Sequence, residues 1–354
     1  MPAPSPPPTA ERLLARIDAM AGQPVPMLVD LVADVFVTGT PKRISREAPV
    51  LILSYQGEQL IPGGGANAVA NVAALGGRPL PLGVVGDDPH GQKLLAELRA
   101  RGVETGGILT RPGYRTPTKV RILGGGKHSI KQQIVRYDIE ETLELREEER
   151  ERFSRTLADW AKSAGAVRAA ILSDYGYGTV EPGLLPRLRA ALGADAALVG
   201  DSRYRLADFA GLDGATPNEE EAETLLGAAI GDDPARLREA GERLRGQLGT
   251  RFLLITRGSR GMSLFQAAGG SAHLPVSGTD QVADVTGAGD TVIGTFALAL
   301  AAGADPLEAT LLANYAGGVV VMKMGTATLT PDELRRAVRN DPRPLLEMSR
   351  EKEK

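Results

Sequence analysis

Cysteine is absent from the 354 residues, and histidine occurs three times. The lack of thiols excludes disulfides, thiolate zinc sites, iron–sulfur clusters and a cysteine nucleophile. The histidines, His90, His128 and His273, lie far apart in the sequence, which argues against a multi-histidine metal centre. We interpret them as surface residues and assign them no role.

Long hydrophobic runs and an excess of charge of one sign are also missing. The longest apolar run covers residues 291–304 and contains a glycine, whereas a transmembrane helix needs about 20 apolar residues. The chain starts without the basic and apolar regions of a signal peptide, so we expect a cytoplasmic protein. With 41 basic and 44 acidic side chains, the net charge of −3 excludes a strongly basic surface. Because the sequence also lacks a basic patch with aromatic residues, we expect no nucleic-acid partner, and because it lacks a spanning segment we expect no membrane partner.

The pattern of apolar segments predicts one large domain. Residues 1–26 are proline-rich and are expected to form a flexible extension with one short helix, and residues 341–354 a charged, frayed tail. Over residues 27–340, short apolar runs alternate with helical stretches, most regularly after residue 169. This alternation predicts an α/β fold with a doubly wound, mostly parallel sheet. Segments 38–61 and 114–138 break the rhythm as strand pairs, which predicts a small β-sheet lid.

The strongest motif is DVTGAGD, Asp284–Asp290, which precedes the apolar helical segment TVIGTFALALAAG. Gly287, Ala288 and Gly289 place free backbone N–H groups at the first turn of that helix, where they and the helix dipole form an anion site. Asp290 in the same turn can accept a proton from a hydroxyl that attacks a phosphorus atom. The motif therefore predicts phosphoryl transfer. The alternative interpretation is an ordinary helix with an acidic N-terminus.

DVTGAGD resembles the C-terminal signature of the ribokinase-like (phosphofructokinase B) family of sugar kinases. PGGGANAVANVAALG, at Pro62–Gly76, is similar to the Gly-Gly motif that opens a helix in the same family. Further strings resemble the D-glycero-β-D-manno-heptose 7-phosphate kinases of that family, which serve ADP-heptose synthesis for the lipopolysaccharide core. These strings are KRISREAP at Lys42–Pro49, TKVRIL at Thr118–Leu123, QQIVRYDIEE at Gln132–Glu141 and LSDYGYG at Leu172–Gly178.

The resemblance implies a role for each matching residue. Asp290 is implied to be the catalytic base on the sugar 1-hydroxyl, beside an anion hole made by the amides of Gly287, Ala288 and Gly289. Substrate contacts are implied for Asp30, Arg43, Gly63, Gly64, Asn67, Arg121, Arg136 and Asp174. ATP and Mg²⁺ are the implied cofactors, with contacts from Asn218, Glu221, Thr256, Gly258, Gly261 and Asn314. A monovalent cation, K⁺, is implied at Asp284 and Thr286.

Structural alternatives stand beside several of these assignments. The alternative for Asp30 is a cap at a strand end, and for Gly63–Gly65 it is a plain turn into a helix. Asn218 and Glu221 also suit a helix start, because Pro-Asn-Glu-Glu-Glu is a favourable one. The three arginines are equally well explained as solvated surface residues.

The chain also departs from the heptose kinase pattern. Val29 replaces a glycine, Tyr177 replaces a lysine, and Ser202-Arg203 stands where that pattern has Pro-Lys. The segment Gly124–Lys131 is an added hairpin. These differences leave two alternatives open, namely a kinase of another sugar or sugar phosphate, and a non-catalytic regulator that binds sugar or nucleotide. We expect a stand-alone kinase. Because lids of this family often pair, we also expect a homodimer through the lid.

Overall fold

The computed structural model describes residues 7–126, 131–163, 165–267, 270–278 and 284–352, and it contains two β-sheets. The strands are β1 (Pro24–Val29), β2 (Leu31–Ile44), β3 (Leu51–Gly64), β4 (Arg78–Gly86), β5 (Ile108–Arg111), β6 (Thr118–Gly124), β7 (Gln132–Ile139), β8 (Ala169–Asp174), β9 (Ala197–Ser202), β10 (Gly214–Ala215), β11 (Phe252–Thr256), β12 (Met262–Gln266) and β13 (Ser271–Leu274).

The α-helices lie mostly between these strands. They are α1 (Ala10–Ala19), α2 (Gly65–Ala74), α3 (Pro89–Ala100), α4 (Glu147–Ser163), α5 (Leu185–Leu192), α6 (Glu219–Leu226), α7 (Pro234–Leu248), α8 (Ala288–Ala301), α9 (Pro306–Val320), α10 (Pro331–Asn340) and α11 (Arg343–Lys352). Within the described ranges, no helix combines the length and the apolar character that a membrane crossing requires.

The larger sheet has nine strands in the order β13-β12-β11-β10-β9-β8-β1-β4-β5. Its strands pair in parallel from β11 to β5, and β12 and β13 add an antiparallel edge. Met27 and Leu28 are adjacent on β1 and both buried, but they belong to separate hydrophobic clusters. Such two-sided burial is typical of a parallel sheet covered by helices on both faces. The predicted doubly wound α/β fold is confirmed, although the antiparallel edge was not predicted.

The smaller sheet has the order β3-β2-β6-β7 and contains both segments expected to form the lid. We call it the lid sheet. It is longer than predicted at its base, because β2 starts at Leu31 and β3 runs without a break to Gly64. The chain leaves the large sheet at Val29 and enters the lid sheet at Leu31, so Asp30 alone joins the two. The added hairpin, Gly124–Lys131, falls partly within residues 127–130, and His128 falls wholly within them. These four residues lie outside the described residues.

Residues 10–19 form α1, the short helix expected in the N-terminal extension, but this helix packs into the fold and β1 already begins at Pro24, which corrects the expectation of flexibility for this part of residues 1–26. Leu13 and Ile17 of α1 are buried in the core. Arg12 and Arg16 on the same helix form ion pairs with Glu308, whose side chain is fully buried. The expectation of a frayed tail after residue 340 is also wrong, because α11 continues the fold and buries Met348. Amphipathic spacing at both ends explains these contacts.

We predict that the double variant R12A/R16A destabilises the protein. It would leave the Glu308 carboxylate buried without a cation, which costs about 3–5 kcal/mol in the free energy of unfolding. Urea unfolding followed by circular dichroism measures this loss. The control is R101A, because Arg101 lies 4.0 Å from Glu97 in an exposed pair worth about 0.5 kcal/mol. Equal unfolding midpoints for R12A/R16A and R101A would show that α1 contributes nothing through these pairs.

Candidate active site

The DVTGAGD motif forms the start of α8. Gly287 is the N-cap residue in a left-handed conformation (φ 77°), and no side chain caps the helix. The first-turn amides of a helix have no intrahelical acceptors, and the helix dipole makes this end positive. Ala288 N–H donates to Val285 O over 3.2 Å, so one of the three predicted amides is used in the turn itself. A Cβ atom on Gly289 would meet open space, which leaves room for an anion to approach.

Asp290 lies in the first turn of α8 with its carboxylate 3% exposed. One oxygen accepts a hydrogen bond from Tyr175 Oη (2.7 Å), and the other accepts one from Asn67 Nδ2 (3.1 Å). Burial raises the pKa of Asp290 to about 7, and the two hydrogen bonds oppose that rise. A carboxylate with a pKa near neutrality is suited to accept a proton as a general base.

The Gly-Gly motif brings α2 against this carboxylate. Gly64 has φ 50°, which favours glycine, and a Cβ on Gly63 would lie 2.7 Å from the carboxylate carbon of Asp34. α2 starts at Gly65, and its Asn67 also donates to Gly287 O over 3.3 Å. The Gly63–Gly65 turn therefore starts a helix, which is the structural alternative given for it above. It also brings the Asn67 amide to the candidate base, Asp290.

Two clefts meet at the N-terminus of α8. The first encloses about 700 Å³ and has no charged side chain in its lining. It includes four of the six residues implied to contact ATP and Mg²⁺: Thr256, Gly258, Gly261 and Asn314. Asn314 Nδ2 donates to Pro275 O over 2.8 Å, so this amide also holds the wall of the cleft. We call this first cleft the apolar cleft.

The second cleft encloses about 1150 Å³ and is lined by many charged groups, and we call it the charged cleft. Thr256, Val285 and Gly289 line both clefts, so the two are continuous at the start of α8. The charged cleft brings together most of the other predicted site residues: Gly64, Arg121, Arg136, Asn218, Glu221, Thr286, Gly287 and Asp290. It also contains Asp34, Lys119, Tyr175, Asp201 and Arg203, which were not assigned as site residues from sequence.

One face of the lid sheet supplies the basic groups of the charged cleft. Side chains two residues apart on a strand share a face, so Lys119 and Arg121 of β6 point the same way. Arg121 Nη1 donates to Asp34 Oδ1 over 2.6 Å, and Arg136 binds Asp138 with two nitrogens. Burial lowers the pKa of Lys119. Within the described residues, neither Lys119 nor Arg203 has a carboxylate within salt-bridge distance.

Asp30 and Asp174, which were predicted as sugar contacts, do not line the charged cleft and are corrected. Both oxygens of Asp30 accept backbone N–H bonds at 2.9–3.0 Å, from Tyr175, Tyr177 and Thr179. Asp30 is fully buried, and burial raises its pKa to about 6. Asp174 accepts hydrogen bonds from Ser202 Oγ and from two nitrogens of Arg205. Both acids therefore hold neighbouring segments in place, and the cleft-facing acid of this region is Asp34.

Arg43 is the third correction. It is exposed near the far end of β2, nine residues beyond Asp34, which places it about 30 Å from the base of the lid sheet. It therefore does not reach the charged cleft of its own chain. Tyr177, the departure noted in the sequence, is buried, and its hydroxyl donates to Glu140 Oε1 over 3.0 Å. Arg203, the other departure, does line the cleft.

The residues predicted to organise Mg²⁺ form a helix cap that faces the charged cleft. Asn218 and Glu221 make a reciprocal capping box at the start of α6, as their structural alternative states. Burial raises the pKa of Glu221. Burial, and then the charge of Glu221, raise the pKa of Asp201 on β9. Two half-buried carboxylates, one of which raises the pKa of the other, suit Mg²⁺, which binds proteins through one or two carboxylates and substrate phosphates.

Asp284 and Thr286, predicted to hold K⁺, stand beside the start of α8. Asp284 accepts N–H bonds of 2.9 Å from Thr286 and Gly325. Burial raises the pKa of Asp284, but these hydrogen bonds outweigh it and the net shift is downward. An ionised carboxylate has further lone pairs beyond these two bonds, so the residues fit a cation. The K⁺ assignment stays a proposal.

Comparison with known proteins identifies the family. The family model "pfkB family carbohydrate kinase" matches residues 29–172 and 186–333. The chain belongs to this family. The kinase is 40% identical over 330 residues to the bifunctional protein HldE of Mesorhizobium japonicum, a match that covers 93% of the chain and 64% of the relative. A bifunctional protein HldE of Pelobacter propionicus is 38% identical, with 87% and 62% covered. The kinase thus spans less than two thirds of these relatives.

Solved structures show the same fold. Phosphofructokinase-2 from Escherichia coli, in complex with substrates and products, superposes with a TM-score of 0.70 at 17% identity, covering 90% of the kinase and 99% of that chain. Ribokinase from Arabidopsis thaliana, complexed with ribose and ATP, gives a TM-score of 0.69 at 19% identity, with the same coverage. The predicted ribokinase-like fold and carbohydrate kinase class are confirmed.

Sequence reasoning missed four residues of the cleft. Lys119 precedes Arg121 by two positions in TKVRIL, so strand alternation alone would have placed both on one face. Asp34 lies four residues after Asp30 in the apolar segment VDLVAD, and nothing in the local pattern shows that a break in the strand separates the two acids. Tyr175 directly follows β8, and Asp201 is the last residue but one of β9, so both lie at the carboxyl ends of parallel strands, where sites of such sheets form.

Proposed function

We propose that this kinase transfers the γ-phosphoryl group of ATP to the C1 hydroxyl of D-glycero-β-D-manno-heptose 7-phosphate, a step in ADP-heptose synthesis. One observation carries the proposal: the buried Asp290 carboxylate and the α8 N-terminus lie where the apolar and charged clefts join. This arrangement suits a nucleotide on one side and a phosphorylated sugar on the other. The HldE relatives and the strings shared with heptose kinases support the choice of sugar.

In this proposal, Asp290 acts as the general base. The sugar hydroxyl oxygen attacks the γ-phosphorus, its proton passes to the Asp290 carboxylate, and the bond to the bridging oxygen of ADP breaks. The first-turn amides of α8, Gly287 and Gly289 among them, would stabilise the negative charge on the transferring group. Mg²⁺, when bound, neutralises charge on the phosphates, and Asp201, Asn218 and Glu221 would hold it.

The basic groups of the charged cleft account for a second phosphate on the sugar. Lys119 and Arg203 have no carboxylate within salt-bridge distance among the described residues, and both line the charged cleft. Burial lowers the pKa of Lys119, and the positive charges of Arg136 and Arg203 lower it further. An anion bound between these cations would relieve their repulsion. We assign the distal phosphate of the sugar to this position.

The first prediction concerns the base. Asp290→Asn should lower kcat by about 10²–10⁴-fold, because a general base contributes about that factor. ATP affinity, measured by isothermal titration calorimetry, should change little, since the Asp290 side chain faces the charged cleft. Wild-type kcat should rise with pH to a plateau above about pH 7, where Asp290 is ionised. Turnover close to that of wild type in the variant would contradict the mechanism.

The second prediction concerns the sugar. A coupled ADP-release assay would compare D-glycero-D-manno-heptose 7-phosphate, sedoheptulose 7-phosphate, fructose 6-phosphate, fructose and ribose. Selective turnover of the heptose phosphate is expected. Turnover of another sugar phosphate would support the kinase mechanism but show that the substrate is a different one. Arg203 and Tyr177 favour this alternative, because both depart from the heptose kinase pattern. ATP binding without turnover of any sugar would favour a regulator.

Arg203→Gln sharpens this test. It should lower kcat/KM for the heptose 7-phosphate by about 10–100-fold, because a hydrogen bond to a charged group is worth about 1.5–3 kcal/mol. Turnover of the unphosphorylated heptose should change far less. The control is Arg43→Gln, at an exposed position outside the cleft. A higher KM for ATP with unchanged sugar discrimination would place Arg203 on the nucleotide and contradict the distal phosphate assignment.

We further propose that the kinase is a homodimer through the lid sheet. Seven large apolar side chains on or beside its strands are exposed: Ile44, Val50, Leu51, Tyr55, Ile134, Val135 and Tyr137. Exposed apolar groups in such number on one small sheet are typical of an interface. Light scattering should give twice the chain mass for wild type and for the control Leu346→Glu, but less for Tyr55→Glu. A wild-type monomer at all concentrations would contradict the dimer.

A further inference from the structure

The Asp290 carboxylate is held by donors from two separate parts of the fold. Asn67 comes from α2, and Tyr175 comes from the loop that follows β8. The Tyr175 hydroxyl gives the shorter bond, 2.7 Å from Asp290 Oδ1. Its ring in turn lies against the lid sheet. A Cβ on Gly64 would lie 3.4 Å from Tyr175 Cδ2, and Lys119 Nζ of the lid sheet lies 5.6 Å from the ring centroid.

The loop that carries Tyr175 is organised by Asp30. Its two carboxylate oxygens accept the amides of Tyr175, Tyr177 and Thr179, every second residue of the loop. The Asp30 side chain is fully buried and its two oxygens accept three N–H groups, so neither oxygen faces the cleft. The free energy that these hydrogen bonds contribute depends on keeping all three of them. The residue thus acts on the loop backbone and not on a ligand.

Asp30 is also the single residue between the large sheet and the lid sheet. Its own N–H donates to Ser173 O, and its carbonyl accepts from Gly65 N–H, each over 3.1 Å. The residue is therefore bonded to β8, to the start of α2 and to the 175–179 loop at once. These three segments are the ones that carry or precede the donors to Asp290.

We propose that Tyr175 is a positioning residue for the Asp290 carboxylate and that Asp30 acts through Tyr175 by holding the 175–179 loop. The inference rests on the proposed function, in which Asp290 is the general base. Tyr175 keeps that carboxylate oriented in its buried position and stabilises its ionised form, because a hydrogen bond to a carboxylate favours the charged state. The hydroxyl of Tyr175 need not touch the sugar to have this effect.

Other charged groups face Asp290 as well. Asp34 and Lys119 approach it from the lid sheet, and Asp201 approaches it from β9. Asp34 raises the pKa of Asp290 and Lys119 lowers it, so their influences oppose each other. Removing only the Tyr175 hydroxyl leaves all three in place. A change in the titration of Asp290 then reports the lost hydrogen bond.

The experiment is the pH dependence of kcat at saturating ATP and sugar for Tyr175→Phe, given as the ratio to wild type at each pH. Taking the ratio cancels the titration of ATP itself. We expect the acid limb to move up by about one pH unit or more, because a hydrogen bond to a charged group is worth about 1.5–3 kcal/mol and one pKa unit is 1.36 kcal/mol. Activity should recover toward wild type at alkaline pH.

Tyr177→Phe is the matched control. It removes a hydroxyl from the same loop, but that hydroxyl donates to Glu140 and not to Asp290. Its acid limb should coincide with that of wild type. Asp30→Asn should shift the acid limb in the same direction as Tyr175→Phe. If Asp30 acts through Tyr175, the double variant should show the same shift as Tyr175→Phe alone.

An unmoved acid limb in Tyr175→Phe, or an equal movement in Tyr177→Phe, overturns the inference. Full activity of Asp290→Asn overturns the proposed function instead, so the two failures are distinguishable. Should Tyr175→Phe fail to fold, fluorotyrosine placed at position 175 replaces it. This more acidic phenol is a stronger donor, so it must move the limb downward, and an upward or absent movement counts against the inference.

Discussion

The structure depends on a carboxylate that is buried at the start of a helix. Taking Asp290 out of water disfavours its ionised form, and no cation pairs with it directly among the described residues. The α8 dipole, the Tyr175 hydroxyl and the Asn67 amide offset this cost, and the net result is a pKa of about 7. Burial raises the pKa of Asp290 and so makes it a stronger base, and the hydrogen-bond donors limit that rise. The surrounding loops, α2 and the lid sheet are arranged to deliver those donors.

The two sheets divide the work of the site. The large sheet places helix N-termini and strand ends at one edge, where α6 and α8 open the clefts. The lid sheet contributes an alternating strand face with Asp34, Lys119, Arg121 and Arg136. Because side chains alternate along a strand, the residues between them, such as Val35 and Val120, are buried on the opposite face. One short sheet therefore supplies both packing and charge.

The motifs that could be predicted from sequence are those whose meaning is local. DVTGAGD and the Gly-Gly turn specify a helix start and a tight backbone, and both lie where they were expected. Roles set by distant partners could not be predicted. Asp30 and Asp34 look alike in the segment VDLVAD, and only the break between β1 and β2 separates a loop anchor from a cleft residue. Likewise, α1 was assigned to a flexible extension, because its partner Glu308 is 292 residues away from Arg16 in the sequence.

The acidic residues of the charged cleft lower the stability of the folded chain, and they do so at the proposed ligand site. Asp290 is buried, Asp201 and Glu221 are half-buried, and the charges of Glu221 and Asp290 raise the pKa of Asp201. Mutual repulsion of this kind destabilises the folded chain alone, and a bound cation or phosphate-bearing ligand removes it. Asp30 and Asp174, by contrast, have their carboxylate oxygens bonded to backbone amides and to Arg205, so they anchor the surrounding segments whether or not a ligand is present. The same residue type is thus a support where its hydrogen bonds are complete and a ligand site where they are not.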